Sequence, residues 1–174
     1  MDERTVLLAL LDDHPPVDER EAHSIATARR ELDRLPFPFD EHADLTHVTA
    51  SAIVIGTRGV VLHKHKRLGL WLQPGGHIET GETMAEGALR EAAEETGLAV
   101  RHLDRGPRFV HLDVHPGPRG HTHLDVRYVL VAPPDDPTPP DGESPDVRWF
   151  SWDDAIAIAE PGLIGALSAA KAFR

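Results

Sequence analysis

Residues 83–97 carry their own start and stop signals, and no other stretch limits the fold as much. Thr83 can cap a helix, Glu86 three residues on completes a capping box, and Gly97 supplies the stop. The spacing predicts a helix over Thr83–Glu95. At about 100° per residue, Ala85, Leu89, Ala92 and Ala93 share a broad side that should face a core. Glu91, Glu94 and Glu95 gather on another side, three and four residues apart. Like charges at that spacing oppose the helix, and carboxylates at its C-terminal end oppose the macrodipole. A solvated acidic face leaves both costs in place. A bound divalent cation removes both, because hard cations take oxygen ligands.

The flanks read as a mixed sheet with packed helices. Runs 47–56 and 59–67 resemble two strands joined at Gly56–Gly59, and 98–115 and 121–132 resemble further strands. Residues 133–146 form a Pro/Asp-rich loop, and 147–174 read as a short strand followed by one or two helices. Residues 1–45 are expected to be a helical N-terminal extension, with Ile25, Ala28, Leu32 and Leu35 at helical spacing before PFPF ends the run. Residues 46–174 then form the main domain.

Composition narrows the chemistry. The 174 residues include no cysteine, which excludes disulfide scaffolds, thiolate metal sites and thiol nucleophiles. No apolar run approaches a membrane span, and the acidic start MDERTVLLALLDD lacks the features of a secretory leader, so a cytoplasmic protein is expected. Eighteen Lys plus Arg against 29 Asp plus Glu give a net charge of −11. That balance argues against nucleic acid as a partner, whose phosphates call for a basic surface. An acidic protein can still act on phosphates when cations mediate the contact.

The segment GHIETGETMAEGALREAAEETGL, residues 76–98, resembles the Nudix box of MutT-like hydrolases: Gly, five residues, Glu, seven residues, Arg-Glu-U-x-Glu-Glu-x-Gly-U, where U is a bulky aliphatic residue. Gly76, Glu82, Arg90, Glu91, Glu94, Glu95, Gly97 and Leu98 all match, and Ala92 is smaller than the usual residue at its position. WLQPGG before the box and VRWFSWDD after it extend the likeness over about residues 46–160.

The resemblance implies an α/β/α sandwich with a mixed sheet and hydrolysis of a nucleoside diphosphate linked to another moiety. It implies Mg²⁺ or Mn²⁺ held by Glu91, Glu94 and Glu95 with the main-chain carbonyl of Gly75, and Glu82 near enough to contribute through water or another metal. Arg90 would fix the rotamer of a box carboxylate, against the plainer reading of surface i,i+4 pairing. Glu143 is the candidate outlying ligand or base, with a solvated loop residue as its alternative. Divalent ions would neutralise phosphate oxygens and activate water, with a carboxylate as base.

Other residues are candidates for reading the substrate. His63 and His65, and likewise His121 and His123, each share a strand face. Two such pairs invite a zinc reading, but the preferred one is a wet cleft whose histidines bond phosphate or sugar. Lys66 and Arg67, with Lys64, form the concentrated positive cluster, and Gln73 and His77 flank the PGG turn. Trp71, Trp149 and Trp152 are expected to pack.

The expected partner is a small-molecule nucleoside diphosphate derivative, and a homodimer is a reasonable expectation. Two rivals have distinct signatures. A Nudix-fold isomerase would rely on a cysteine that this chain lacks, and a non-catalytic ligand-sensing domain would commonly show a degraded box.

Overall fold

A computed structural model of the protein describes residues 2–174. Two helices come first, α1 (Glu3–Asp13) and α2 (Glu19–Arg34), each capped by an aspartate, Asp2 or Asp18, that accepts a backbone N–H of the first turn. Then follow β1 (Thr46–Gly56), β2 (Gly59–Lys64), β3 (Trp71–Leu72), β4 (Gly75–His77) and α3 (Met84–Thr96). The chain closes with β5 (Arg101–His102), β6 (Arg108–Pro116), β7 (Thr122–Val131), β8 (Val147–Phe150), α4 (Trp152–Ile158) and α5 (Pro161–Ala170). Among the described residues, no helix is long and apolar enough to cross a membrane.

The sheet is mixed. Its spine runs β3-β2-β1-β7-β5, with β4 added to β1, β6 to β7 and β8 to β2. β1 and β7 pair in parallel along their length, and all other pairings are antiparallel. Both faces of β1 are buried, as a central strand requires. One face carries Val48, Ala50, Ala52 and Val54 against Met84, Ala88 and Ala92 of α3. The other carries Ile53 and Ile55 against Leu163, Ala166, Leu167 and Ala170 of α5. Helices on both faces make the expected α/β/α sandwich.

The two N-terminal helices share the α3 side of this core. Leu7 of α1 and Ala28 and Leu32 of α2 are wholly buried in the same apolar cluster as Met84 and Ala92. Polar ties reinforce the packing: Glu3 accepts the Met84 N–H at 2.8 Å, and buried Glu21 accepts the Leu112 N–H at 2.9 Å.

Helix α3 starts on Thr83 with the full capping box and ends on Gly97 in the left-handed conformation, φ 65°. Its buried line differs from the sequence expectation. Met84, Gly87, Ala88, Ala92 and Thr96 face inward, Ala85 and Leu89 are half-buried, and Ala93 is exposed. The axis settles on the 84–88–92 row because the small residues there let the helix lie close to β1. A second difference lies after β2, which ends at Lys64. Residues 65–70 form a turn closed by the His65 N–H to the Leu70 carbonyl and the Gly69 N–H to the His65 carbonyl, each 2.8 Å.

Candidate active site

The last two turns of α3 face the strand β4, and the approach is close because β4 begins with two glycines. A Cβ on Gly76 would stand 2.5 Å from the Glu91 carboxylate, and one on Gly75 would overlap Ser51 of β1. The absence of side chains lets backbone and carboxylates meet. Gly75 donates its N–H to Glu95 Oε2 at 2.8 Å. The backbone of Gly75, whose carbonyl is the expected cation contact, thus stands at the glutamate cluster.

Arg90 organises the near side. Its Nε and Nη2 donate to Glu82 at 2.9 and 3.0 Å, its Nη1 to Glu91 at 2.9 Å and to Glu94 at 3.1 Å, and its Nη2 also to the His77 carbonyl at 2.9 Å. Both sequence readings of this residue are therefore present at once: the i,i+4 pair to Glu94 exists, and so does the grip on buried carboxylates. Glu82 is committed to Arg90 and to the Glu79 N–H. Glu86 takes no part, being held in the capping box.

The three box carboxylates differ in environment. Side chains of Glu91 and Glu95 are 17% and 16% exposed, whereas Glu94 is 55% exposed. Burial, outweighing its hydrogen bond from Gly75, pushes the Glu95 carboxyl up to about 8, and the neighbouring charges of Glu91, Glu143 and Glu94 add to the rise. Glu91 is raised for the same first reason, with Arg90 opposing. Glu143, from the Pro/Asp-rich loop, is thus near enough for its charge to be felt by both. That loop is pinned by Ser144 Oγ donating to the Lys64 carbonyl at 2.7 Å and by Lys66 Nζ on the Gly142 carbonyl.

A hollow of about 240 Å³ opens beside Glu95, lined among others by Ser51, His63, His65, Gln73, Gly75 and Asp125. A larger groove of about 1410 Å³ runs from Glu91 and Glu82 past His77 to residues 36–42 and the start of α1. Within the smaller hollow, wholly buried Asp125 accepts from Thr49, Ser51, Gln73 and Arg127. Gln73 Oε1 has no hydrogen-bond partner among the described residues although it is buried, so it is an acceptor free for a ligand.

The remaining candidates scatter. His65 lines the hollow, but its Nδ1 accepts the Arg67 and Leu68 N–H groups of the turn. Lys66 is taken up by Gly142, and Arg67 is exposed on the turn and lines neither cavity. His77, His121 and His123 converge on one another beside buried His47, and His77 and His123 also line the hollow beside Glu95. Trp71 packs edge-on against Phe150, and Trp149 donates to the Asp135 carbonyl, so neither is presented for stacking. The sequence reading passed over His47 and Asp125. Each belongs to a run of apolar strand residues, and only strand pairing brings Asp125 to the hollow and His47 to the other histidines.

The geometry is that of a glutamate cluster on a helix end facing a glycine-rich strand, and the family model of the NUDIX domain matches residues 45–168. This chain belongs to the NUDIX family. Among curated proteins it is similar to an RNA pyrophosphohydrolase of Erythrobacter litoralis, 38% identical over 37% of this chain and 42% of that one. It is also similar to the phosphatase NudJ of Escherichia coli, 33% identical over 52% of this chain and 61% of that one. The matches thus span roughly two-fifths to three-fifths of those relatives' lengths. Among solved structures, a NUDIX-family hydrolase from Clostridium perfringens superposes with a TM-score of 0.64 at 28% identity, covering 74% of this chain and 98% of that one. The family membership accounts for the α/β/α architecture, and NUDIX hydrolases generally use divalent cations.

Proposed function

We propose that this NUDIX protein is a metal-dependent pyrophosphohydrolase that cleaves the diphosphate linkage of a nucleoside diphosphate derivative. The observation that carries the reading is that Glu95, largely buried, has no cationic partner among the described residues, while Glu91 must share Arg90 with two other carboxylates. Arg90 is the cation in contact with the cluster, and it is already shared among Glu82, Glu91 and Glu94. Glu95 has no cationic partner there, since neighbouring His63 is 3.7 Å away and burial lowers it to about 4, leaving it neutral at pH 7. Buried carboxylates without a counter-charge are unfavourable unless a cation joins them.

The donor set fits Mg²⁺ or Mn²⁺: carboxylate oxygens from Glu91, Glu94 and Glu95, with Glu143 within electrostatic reach. A bound cation would neutralise phosphate oxygens and activate water. The protein's own residues do the rest. Arg90 fixes the rotamers of Glu82 and Glu91, so the carboxylates are preorganised. Gly75 and Gly76 let the strand close on the cluster with no side chain in between. Glu95, raised toward neutral pH, suits proton transfer, which works best when the group's pKa is near the working pH. Gln73 and His65 line the hollow where the nucleoside or its appended group would sit. The acidic surface and lack of cysteine suit a cytoplasmic enzyme acting on small molecules.

The test is a panel of dinucleoside polyphosphates, nucleotide sugars, ADP-ribose and nucleoside triphosphates, incubated with Mg²⁺ or Mn²⁺, with products identified by chromatography. Release of a nucleoside monophosphate or of phosphate that stops on chelation supports the reading. No turnover of any member, together with no divalent-ion binding, would hand the chain to the ligand-sensing alternative.

A further inference from the structure

Four histidines gather at the end of the sheet, two of them, His77 and His123, on the wall of the hollow beside Glu95. Their assembly follows from strand register. Parallel pairing of β1 and β7 sets His47 opposite His123, and antiparallel pairing of β1 and β4 sets His77 opposite Thr49, two residues along the same face. The 3-10 turn Pro118–Gly120 then returns the chain so that His121 meets His47 edge-on at 5.0 Å between ring centroids. His47 lies 5.1 Å from both His77 and His123. One ligand nitrogen from each of the four falls within 4.8 Å of the others.

The hydrogen bonds are more telling than the proximity. His47 is wholly buried, and its Nδ1 lies 3.3 Å from the Asp44 carbonyl, which can only accept. The proton is therefore on Nδ1, and Nε2 carries a lone pair. His77 Nδ1 faces the Glu41 carboxylate at 3.2 Å, an acidic neighbour on the outer side of its ring. Outward N–H to an acceptor, inward lone pair, is how proteins orient metal-binding imidazoles. Nε2 of His47, His77 and His123 and Nδ1 of His121 are all buried and have no hydrogen-bond partner among the described residues. His115 stacks on His123 but is engaged with Asp113 and stands outside the set.

We propose that His47, His77, His121 and His123 form a zinc site separate from the glutamate cluster. Imidazole nitrogens suit zinc and offer little to magnesium. A tetrahedral site with ligand bonds of about 2.0–2.1 Å needs each nitrogen to close in by roughly 1 Å, within reach of small ring rotations. Four protein ligands leave no open position, so the role is structural. The ion would tie β1, β4, β7 and the 117–121 turn together at the cleft, steadying the strand that carries Gly75 and Gly76. Gly117 belongs to the same design, since a Cβ there would overlap the His123 ring. This assignment does not depend on the hydrolase reading.

The full chain, stripped by a chelator and then kept in excess Mg²⁺, is titrated with zinc chloride against a chromophoric competitor. The expected result is one tightly held zinc per chain, retained in a Glu91→Gln/Glu95→Gln variant and weakened at least ~10²-fold in His121→Ala, in line with loss of a metal ligand. Cobalt should give the intense visible bands of a tetrahedral site, and zinc should raise the melting temperature of the parent but not of His121→Ala. His121 lies at a turn and is only half-buried, so its variant should fold, unlike a truncation of wholly buried His47. No stoichiometric zinc in the parent would overturn the proposal. So would zinc that survives His121→Ala together with His123→Ala, or that disappears with the two glutamates.

Discussion

Arg90 holds Glu82 through two parallel hydrogen bonds, Nε to Oε1 at 2.9 Å and Nη2 to Oε2 at 3.0 Å, reaching back eight residues to the loop before its own helix. This paired geometry is stronger and more directional than a single contact. It meets the charge of Glu82, and with the further bonds to Glu91, Glu94 and the His77 carbonyl it leaves Arg90 nothing to offer Glu95.

Replacing Arg90 by Lys keeps the charge but not the planar fork. Glu82 and Glu91 lose their fixed rotamers, and turnover should fall at least ~10-fold, as a misplacement of about 1 Å can cost more than that. Thermal melting of the variant should show a folded protein. Unchanged kcat would mean that the clamp is only a surface network.

Glu95→Gln should lower turnover by at least ~10²-fold, the scale of a lost acid–base or metal contribution. Without metal the Glu95 carboxyl already holds its proton at neutral pH, so its neutral counterpart Gln should leave the metal-free melting temperature there close to the parent's. A sharp drop in melting temperature would make Glu95 a structural residue.

The raised carboxyl of Glu95 also sets a pH dependence. In the folded protein it holds its proton to about 8, against an ordinary value of 4.5. The fold therefore binds more protons than the unfolded chain in that window, and metal-free stability should decline as pH rises through it. Melting curves in chelator across that range should show the decline, and saturating Mg²⁺ should flatten it. A melting temperature independent of both would contradict the electrostatic account.

Asp113 should behave in the opposite sense. Burial alone would raise it, but hydrogen bonds from His115 and Arg20 and the charge of Arg127 hold it well below the usual carboxylate range. Its contribution is present above the ordinary value of 3.8 and is lost as pH falls below it. Asp113→Asn should cost about 3–5 kcal/mol in urea denaturation, because it leaves wholly buried Arg127 short of a partner. A loss under ~1 kcal/mol would show that Asp125 alone suffices for Arg127.

Leu32 tests the role of the N-terminal helices. It is wholly buried beneath α2 in the cluster shared with α3. Leu32→Ala should destabilise the whole protein by about 2–5 kcal/mol in a single cooperative transition. A separate early transition, with the rest unaffected, would show that α1 and α2 melt as an independent unit.

The residue spacing of the box was enough to locate α3, because capping and helix periodicity are local: Thr83, Glu86 and Gly97 act within a few residues of each other. The acidic stripe was legible for the same reason, and so was the likeness that names the family. Less visible was which carboxylates are buried. Glu94 and Glu95 are adjacent in sequence, yet Glu95 turns under β4 while Glu94 points to water. Lys66 and Arg67 read as a positive cluster for phosphate, but the turn after β2 sends one to the Gly142 carbonyl and the other outward.

By itself, the sequence determined the elements, the helix that carries the glutamates and the kind of cation those oxygens suit, since all of these depend on neighbours along the chain. Tertiary structure decided what meets across it. Parallel pairing of β1 with β7 joins His47 to His123 over 76 positions, and Arg20 reaches Asp113 over 93. Such contacts depend on strand register and burial, where a slip of one residue would send every side chain to the other face. For that reason four histidines scattered from 47 to 123 gather into one cluster only in the folded protein.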